Sequence, residues 1–85
     1  MALVLLRAPL SDLAGAREHD LEGGTVREVL VALEERRPAI SGWVLDERRV
    51  IRQHINVYVN GQLAQDETAV GATDRVHVLP AITGG

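Results

Sequence analysis

The chain opens on an unbroken apolar run, Ala2-Leu3-Val4-Leu5-Leu6, closed by Arg7, Ala8 and Pro9. A short run of this kind, rich in Leu and Val, predicts a strand buried on both faces. Ser11–Ala16, which contains Gly15, reads as a turn. Arg17–Glu22 is mostly polar and predicts an edge strand, hairpinned to the first, whose charges discourage pairing with other chains. Gly23-Gly24 interrupts the pattern, and its period then changes. Val26, Val29, Leu30 and Leu33 fall at i, i+3, i+4 and i+7, one helical stripe, with Glu34 and Glu35 outside it. Thr25 and Glu28 are spaced as a capping box. Arg36 and Arg37 suit the negative end of the helix dipole, and Pro38 prevents continuation. A helix over Val26–Arg37 follows.

Pro38–Arg52 has no single period. Ile40, Trp43 and Val44 suit one helical turn packed on the domain edge, with Trp43 read first as a core plug and second as a partner contact. Asp46–Arg52 reads as solvated. From Gln53 to Val59 the alternation is clean, with His54, Asn56 and Tyr58 on one face and Ile55, Val57 and Val59 on the other. Asn60-Gly61 is a strong two-residue hairpin signal, so Gln62–Gln65 is expected to return antiparallel. Asp66–Asp74 is a loop anchored by Val70. Arg75–Leu79 is the last strand, with Val76 and Val78 on one face. The order is strand, strand, helix, strand, short strand, strand, with the apolar first and last strands central. One helix across one face of a mixed sheet of four to five strands is an α+β arrangement. Residues 1–79 form one domain, and 80–85 form a tail.

Composition narrows the chemistry. Of 85 residues, 46% are apolar, but there is no Phe, one Trp and one Tyr, so the core is aliphatic. Base stacking on aromatic side chains is therefore not expected. The net charge is −3 and all 9 basic residues are Arg, never more than two in a row. Phosphate neutralisation along a nucleic acid is disfavoured on that balance. With no Cys, neither a disulfide, a thiol nucleophile nor a thiolate metal site is available. No apolar run is long enough to span a bilayer. Met1–Arg7 lacks the basic start and long apolar core of a signal peptide, so a cytoplasmic location is expected.

Motifs in the body carry little chemistry. Gly23-Gly24-Thr25 precedes a helix, but a phosphate loop of the Walker type needs a Lys, which the chain lacks. His19, His54 and His77 fall on three separate strands with no ligand spacing, so no metal site is expected. Ser11 and Ser41 sit in no nucleophile elbow. Asp46-Glu47 and Asp66-Glu67 are sequence neighbours whose side chains diverge, and both pairs read as solvated charges. The tail differs. Pro80, Ala81, Ile82 and Thr83 lead to Gly84 and Gly85. Fully extended, a tail from Pro80 reaches roughly 20 Å at about 3.3–3.6 Å per residue. Two glycines are thin enough to enter a narrow channel and present a carboxylate there. That carboxylate is ionised at neutral pH, with an ordinary pKa of about 3.3–3.7. A carboxylate is a poor electrophile, so another protein must activate it, for instance as an acyl-adenylate. An unhindered glycyl carbonyl is then readily attacked.

The element order, the strand His54-Ile55-Asn56-Val57-Tyr58-Val59 with Asn60-Gly61, and the ending Val78-Leu79-Pro80-Ala81-Ile82-Thr83-Gly84-Gly85 together resemble the ubiquitin-like sulfur carriers. These include the molybdopterin-synthase small subunit, the thiamine sulfur carrier and the carrier of one cysteine-biosynthesis route. The Asn-Val-Tyr-Val-Asn strand and the Leu-Pro-Ala ending look most like the cysteine-biosynthesis type, although Thr83 stands where a smaller Ala or Ser is expected. The resemblance covers essentially the whole chain. It implies a β-grasp fold and a protein that is a co-substrate and not an enzyme. An E1-like adenylyltransferase would adenylate Gly85 with ATP, and a sulfurtransferase or other sulfur donor would convert it to a thiocarboxylate. A downstream enzyme would accept the sulfur for cysteine, molybdopterin, thiamine or related biosynthesis. Gly85 is the reacting residue on this reading, Gly84 gives it clearance, and Pro80–Thr83 set its reach. No cofactor is bound by the carrier itself, and neither nucleic acid nor membrane is a partner. Two alternatives use the same tail: a ubiquitin-like modifier conjugated to other proteins through Gly85, and a small subunit of a molybdopterin-synthase-type complex.

Overall fold

A computed structural model describes residues 1–80. Five strands and one main helix make up the described chain: β1 (Ala2–Leu6), a short α1 (Leu10–Ala14), β2 (Glu18–Leu21), α2 (Val26–Arg36), a 3₁₀ turn at Pro38–Ile40, β3 (Ile55–Val59), β4 (Gln62–Leu63) and β5 (Arg75–Pro80). The strands lie in the order β2-β1-β5-β3-β4. β1 and β5 are parallel, and the other neighbours are antiparallel. The mixed sheet with one main helix on one face is the β-grasp arrangement that the resemblance implies.

α2 forms where the stripe requires it. Val26, Val29, Leu30 and Leu33 are fully buried against the sheet. Thr25 Oγ1 accepts the N–H of Glu28 at 3.2 Å, and the Glu28 carboxylate reaches back to the N–H of Gly24 at 2.7 Å. The box therefore closes one residue earlier than the simple pattern, on Gly24. Gly23 lies close against α2: a Cβ there would stand 2.7 Å from the Val29 nitrogen. The helix ends at Arg36, and Arg37 is its C-cap.

Several expectations need correction. The turn expected at Ser11–Ala16 is α1, with Leu10 and Ala14 buried one turn apart and Gly15 closing it at φ 85°. β1 is not buried on both faces. Ala2, Val4 and Leu6 face the helix, whereas Leu3 and Leu5 are half-buried, because helices cover only one side of the sheet. The strand returning from Asn60-Gly61 is two residues long, although the turn itself forms, with φ of 51° and 86°. β5 runs one residue further than expected. Pro80 is in register with Ile55, past the last β1 partner of β5, where its missing N–H breaks no central ladder. Trp43 is not a core plug. It is 49% exposed, while Ile40, Val44 and Leu45 around it are fully buried.

The hairpin turn is tied to the start of β5. Asn60 Nδ2 donates to Asp74 at 2.8 Å, and Asn60 Oδ1 accepts the Arg75 N–H at 2.9 Å. Asp74 also accepts the Gly71 N–H at 2.8 Å. Those two bonds, the backbone one first, hold the Asp74 carboxyl below its ordinary pKa.

Candidate functional site

Pro80 is the last described residue, so the candidate site is built around the end of β5. Of the residues singled out in sequence, Pro80 is placed: half-buried, on the helix side of the sheet, opposite Ile55. Ala81, Ile82, Thr83, Gly84 and Gly85 lie outside the described residues. Two surfaces meet at this end of the sheet.

The first is the open sheet face. Register aligns Glu18, Leu5, His77, Tyr58 and Leu63 in one row across all five strands. Leu5, His77 and Tyr58 are half-buried, and Leu63 is 67% exposed. Arg7, Tyr58, His77 and Leu79 line a shallow depression there. The period-2 alternation of β3 carried this face in sequence, but leucines of β1 belong to it too, which an unbroken apolar run conceals.

The second surface lies on the helix side. Trp43, Asp46, Arg52, His54, Ile55 and Pro80 line a groove beside the end of β5. The loop that carries Trp43 is held by Glu34, the residue that sequence reasoning missed. Glu34 is only 6% exposed. Its Oε2 accepts three backbone N–H groups: Gly42 at 3.2 Å, Val44 at 3.0 Å and Leu45 at 3.0 Å. One carboxylate therefore gathers the chain on both sides of Trp43. Arg52 adds two more ties, its N–H to the Val44 carbonyl at 2.9 Å and its Nε to the Gly42 carbonyl. Pinned from both sides, the loop presents its indole outwards. A Glu one step outside an apolar stripe, followed by a connector lacking periodic structure, was the only sequence signal.

Other candidates prove structural. Asp46 is not a free solvated charge: Oδ1 accepts the N–H groups of Arg48 at 2.8 Å and Val50 at 3.1 Å. The Val50 bond is the main reason its carboxyl is held below the ordinary value, with burial opposing it. Asp66 accepts the Ile51 N–H at 2.9 Å and lies 3.9 Å from the Arg27 guanidinium, which also pairs with Glu67. The N-terminus of α2 has no open anion site. The N–H groups of Val26 and Arg27 are taken by the Thr68 and Asp66 carbonyls at 2.9 and 3.0 Å, and those of Gly24 and Glu28 by the capping box. His19 is 5% exposed and its Nε2 donates to the Ala16 carbonyl at 3.0 Å. His54 precedes β3 rather than lying in it, and His77 is on β5. Among the described residues no three His, Asp or Glu side chains gather as a metal site. No described helix is long and apolar enough to cross a membrane.

Comparison with known proteins places these features in context. The model of the ThiS family matches residues 4–85. Small archaeal modifier protein 1 of Haloferax volcanii is 35% identical over 83 residues, covering 94% of this chain and 95% of that protein. The solution structure of small archaeal modifier protein 1 from Methanosarcina acetivorans superposes with a TM-score of 0.88 at 30% identity, covering 99% of this chain and 95% of the other. A chain in the crystal structure of the Amycolatopsis orientalis BexX/CysO complex superposes with a TM-score of 0.87 at 28% identity, covering 100% of both. CysO in that structure is thus held by a partner protein.

Proposed function

The chain belongs to the ThiS family of ubiquitin-like small modifiers and sulfur carriers, and from that premise we propose that it is a sulfur carrier whose Gly85 carboxylate is its reacting group. The carboxylate attacks the α-phosphorus of ATP in the site of an E1-like adenylating enzyme. Pyrophosphate leaves and a glycyl-adenylate forms. A sulfide-level nucleophile from a sulfur donor then displaces AMP, leaving a thiocarboxylate that passes its sulfur to an acceptor enzyme. ATP is bound by the activating partner and not by the carrier. The observation that carries this reading is a family match that continues through residue 85, so that it includes the Gly84-Gly85 ending. The body fits the role of a handle. Asp46, Asp66 and Asp74 and the N–H groups of Gly24, Val26, Arg27 and Glu28 are committed to internal bonds.

The test is intact mass. The full chain is incubated with the E1-like enzyme of the same genome, ATP and sulfide. The expected product carries the oxygen-for-sulfur increment on the peptide ending at Gly85. A chain that forms no adenylate and gains no sulfur overturns the reading.

A second reading is favoured by the 35% identical relative, which is named a modifier. Here the adenylated Gly85 is captured by lysine amines of other proteins. The chain contains no Lys, so it forms no branched chains through its own side chains. Conjugates on a denaturing gel, with Gly85 in an isopeptide bond, separate this reading from the first. Both use the same activated intermediate.

A further inference from the structure

We propose that Asn60 is a modification site, a centre of spontaneous deamidation that the chain holds closed with its own Asp74 and Arg75, and that its conversion unties the β3–β4 hairpin from β5. The step consumes only water, so it is independent of what the tail carries.

Asn60 is followed by Gly61, the residue whose missing side chain least shields its own backbone nitrogen. In the step, the Gly61 nitrogen gives its proton to water and attacks Asn60 Cγ. The Cγ–Nδ2 bond breaks, and Nδ2 leaves as ammonia with a proton from water. Water then opens the cyclic imide at either carbonyl, giving aspartate or isoaspartate, and nothing is oxidised or reduced. Both residues are exposed, a Cβ at Gly61 would meet nothing within 4 Å, and among the described residues the Gly61 nitrogen makes no hydrogen bond. Water and the attacking atom are therefore available, and what is withheld is the Asn60 side chain. Its Nδ2 donates to Asp74 Oδ1 at 2.8 Å, its Oδ1 accepts the Arg75 N–H at 2.9 Å, and the Asn60 N–H donates to the Arg75 carbonyl at 2.9 Å. Closing the ring carries Cγ over the Gly61 nitrogen and breaks both side-chain bonds, one of them to a carboxylate. Asp74 is itself fixed by the Gly71 N–H at 2.8 Å, so it does not follow the moving amide. The product loses the tie. An aspartate at position 60 has no N–H to offer Asp74, and two carboxylates at hydrogen-bonding distance repel each other. An isoaspartate also adds a backbone carbon to a turn whose φ values are 51° and 86°. Either product frees the hairpin from the start of β5, the strand that leads into residues 81–85.

The test follows the full chain in mildly alkaline buffer, either unfolded in guanidinium or folded at matched salt, by peptide mass and isoaspartate detection. Asn56, which precedes the branched Val57, is the internal reference. Conversion at Asn60 is expected to be at least about tenfold slower in the folded chain, the factor that one hydrogen bond to a charged group is worth. In the folded state Asp74→Ala is expected to recover most of that factor, whereas Gly23→Ala, which destabilises the chain away from the clasp, is not. Asn60→Asp, which makes the product directly, is expected to lower the thermal midpoint by several degrees. Adding Asp74→Asn returns a donor to the pair and is expected to restore most of the loss. Equal rates in the folded and unfolded chains, no conversion in the unfolded chain, or an unchanged rate in Asp74→Ala overturns the proposal. Equal acceleration in Gly23→Ala and Asp74→Ala makes the rate a measure of global unfolding and overturns it as well. An Asn60→Asp chain as stable as wild type overturns the untying of the hairpin.

Discussion

Replacing Glu34 by Ala removes the buried carboxylate that holds the loop carrying Trp43. The Oε2 atom accepts from Gly42, Val44 and Leu45 at 3.2, 3.0 and 3.0 Å. Val44 and Leu45 are fully buried, so water does not replace the lost acceptor without opening the loop. A hydrogen bond to a charged group contributes about 1.5–3 kcal/mol net, and each buried donor left without a partner costs about 1–3 kcal/mol. The three bonds share one oxygen and are not additive, so a total of about 3–5 kcal/mol is expected from the buried donors left without a partner. A domain of this size has roughly 5–10 kcal/mol of stability. Such a loss therefore removes a large part of it and lowers the thermal midpoint by roughly 15–30 °C. Glu34→Gln keeps an oxygen at the site and should lose about half as much. The assay is thermal and urea unfolding by circular dichroism, with Trp43 fluorescence as a local probe. The fluorescence should show the indole loosening in the Ala variant before global unfolding. A Glu34→Ala protein within about 1 kcal/mol of wild type, with unchanged Trp43 emission, would refute the claim that these bonds hold the loop.

Three further outcomes are expected. Gly23→Ala should cost about 2–3 kcal/mol, because its Cβ meets the Val29 backbone at 2.7 Å, whereas at Gly24 it meets only the Glu28 side chain at 3.4 Å and should cost under about 1 kcal/mol; equal losses in urea melts would contradict that geometry. The Asp74 pKa is held below 3.8 by the Gly71 and Asn60 bonds. Its stabilising contribution is therefore present above pH 3.8 and disappears as pH falls through the lowered folded value. The stability gap between wild type and Asp74→Asn should accordingly narrow over that acidic window in pH-dependent melts, and a gap that widens on acidification reverses the sign of the argument. Deleting Gly84 and Gly85 should abolish sulfur incorporation in the mass assay while leaving the thermal midpoint within a few degrees, and a large fall in the midpoint would make the tail a structural element.

How much was legible in sequence depended on whether a residue's partner was near in the chain. α2 was legible because its stripe, its cap and its stop are all local: Thr25, Glu28, Val29 and Pro38 lie within four turns. The Asn60-Gly61 turn was legible for the same reason, and the central positions of β1 and β5 followed from their apolar content. Glu34 was not. Its acceptor role depends on N–H groups eight to eleven residues on, in a connector without period. Asp66 is similar, since its partner Ile51 is fifteen residues away. The half-exposed indole of Trp43 was misread for a related reason: without knowing that Ile40, Val44 and Leu45 fill the space beneath, a lone Trp among apolar neighbours looks like core. At the tail the logic reversed. Gly84 and Gly85 stood out by their chemistry alone, with no packing argument available for them.

These differences bear on how a carrier with so little chemistry can be selective. A glycyl carboxylate is the same at the end of any chain, so that group alone cannot distinguish one carrier from another. Discrimination has to come from groups that differ between bodies and lie within one tail length of the carboxylate. Among the described residues, two surfaces flank the end of β5: the groove of Trp43, Arg52 and Pro80 and the open row of Leu5, His77, Tyr58 and Leu63. They sit on opposite sides of the sheet because Pro80 and Leu79 alternate. On the proposed sulfur-carrier reading, an activating enzyme and a sulfur acceptor would need the same terminal carbonyl in turn, so each would have to release the chain to the other. Opposite faces allow each partner its own recognition surface without one having to be a compromise for both. On that logic, Trp43→Ala and Tyr58→Ala should impair different steps. In a chain carrying both changes each step should then show only the loss of its own single variant, because the two faces share no side chain.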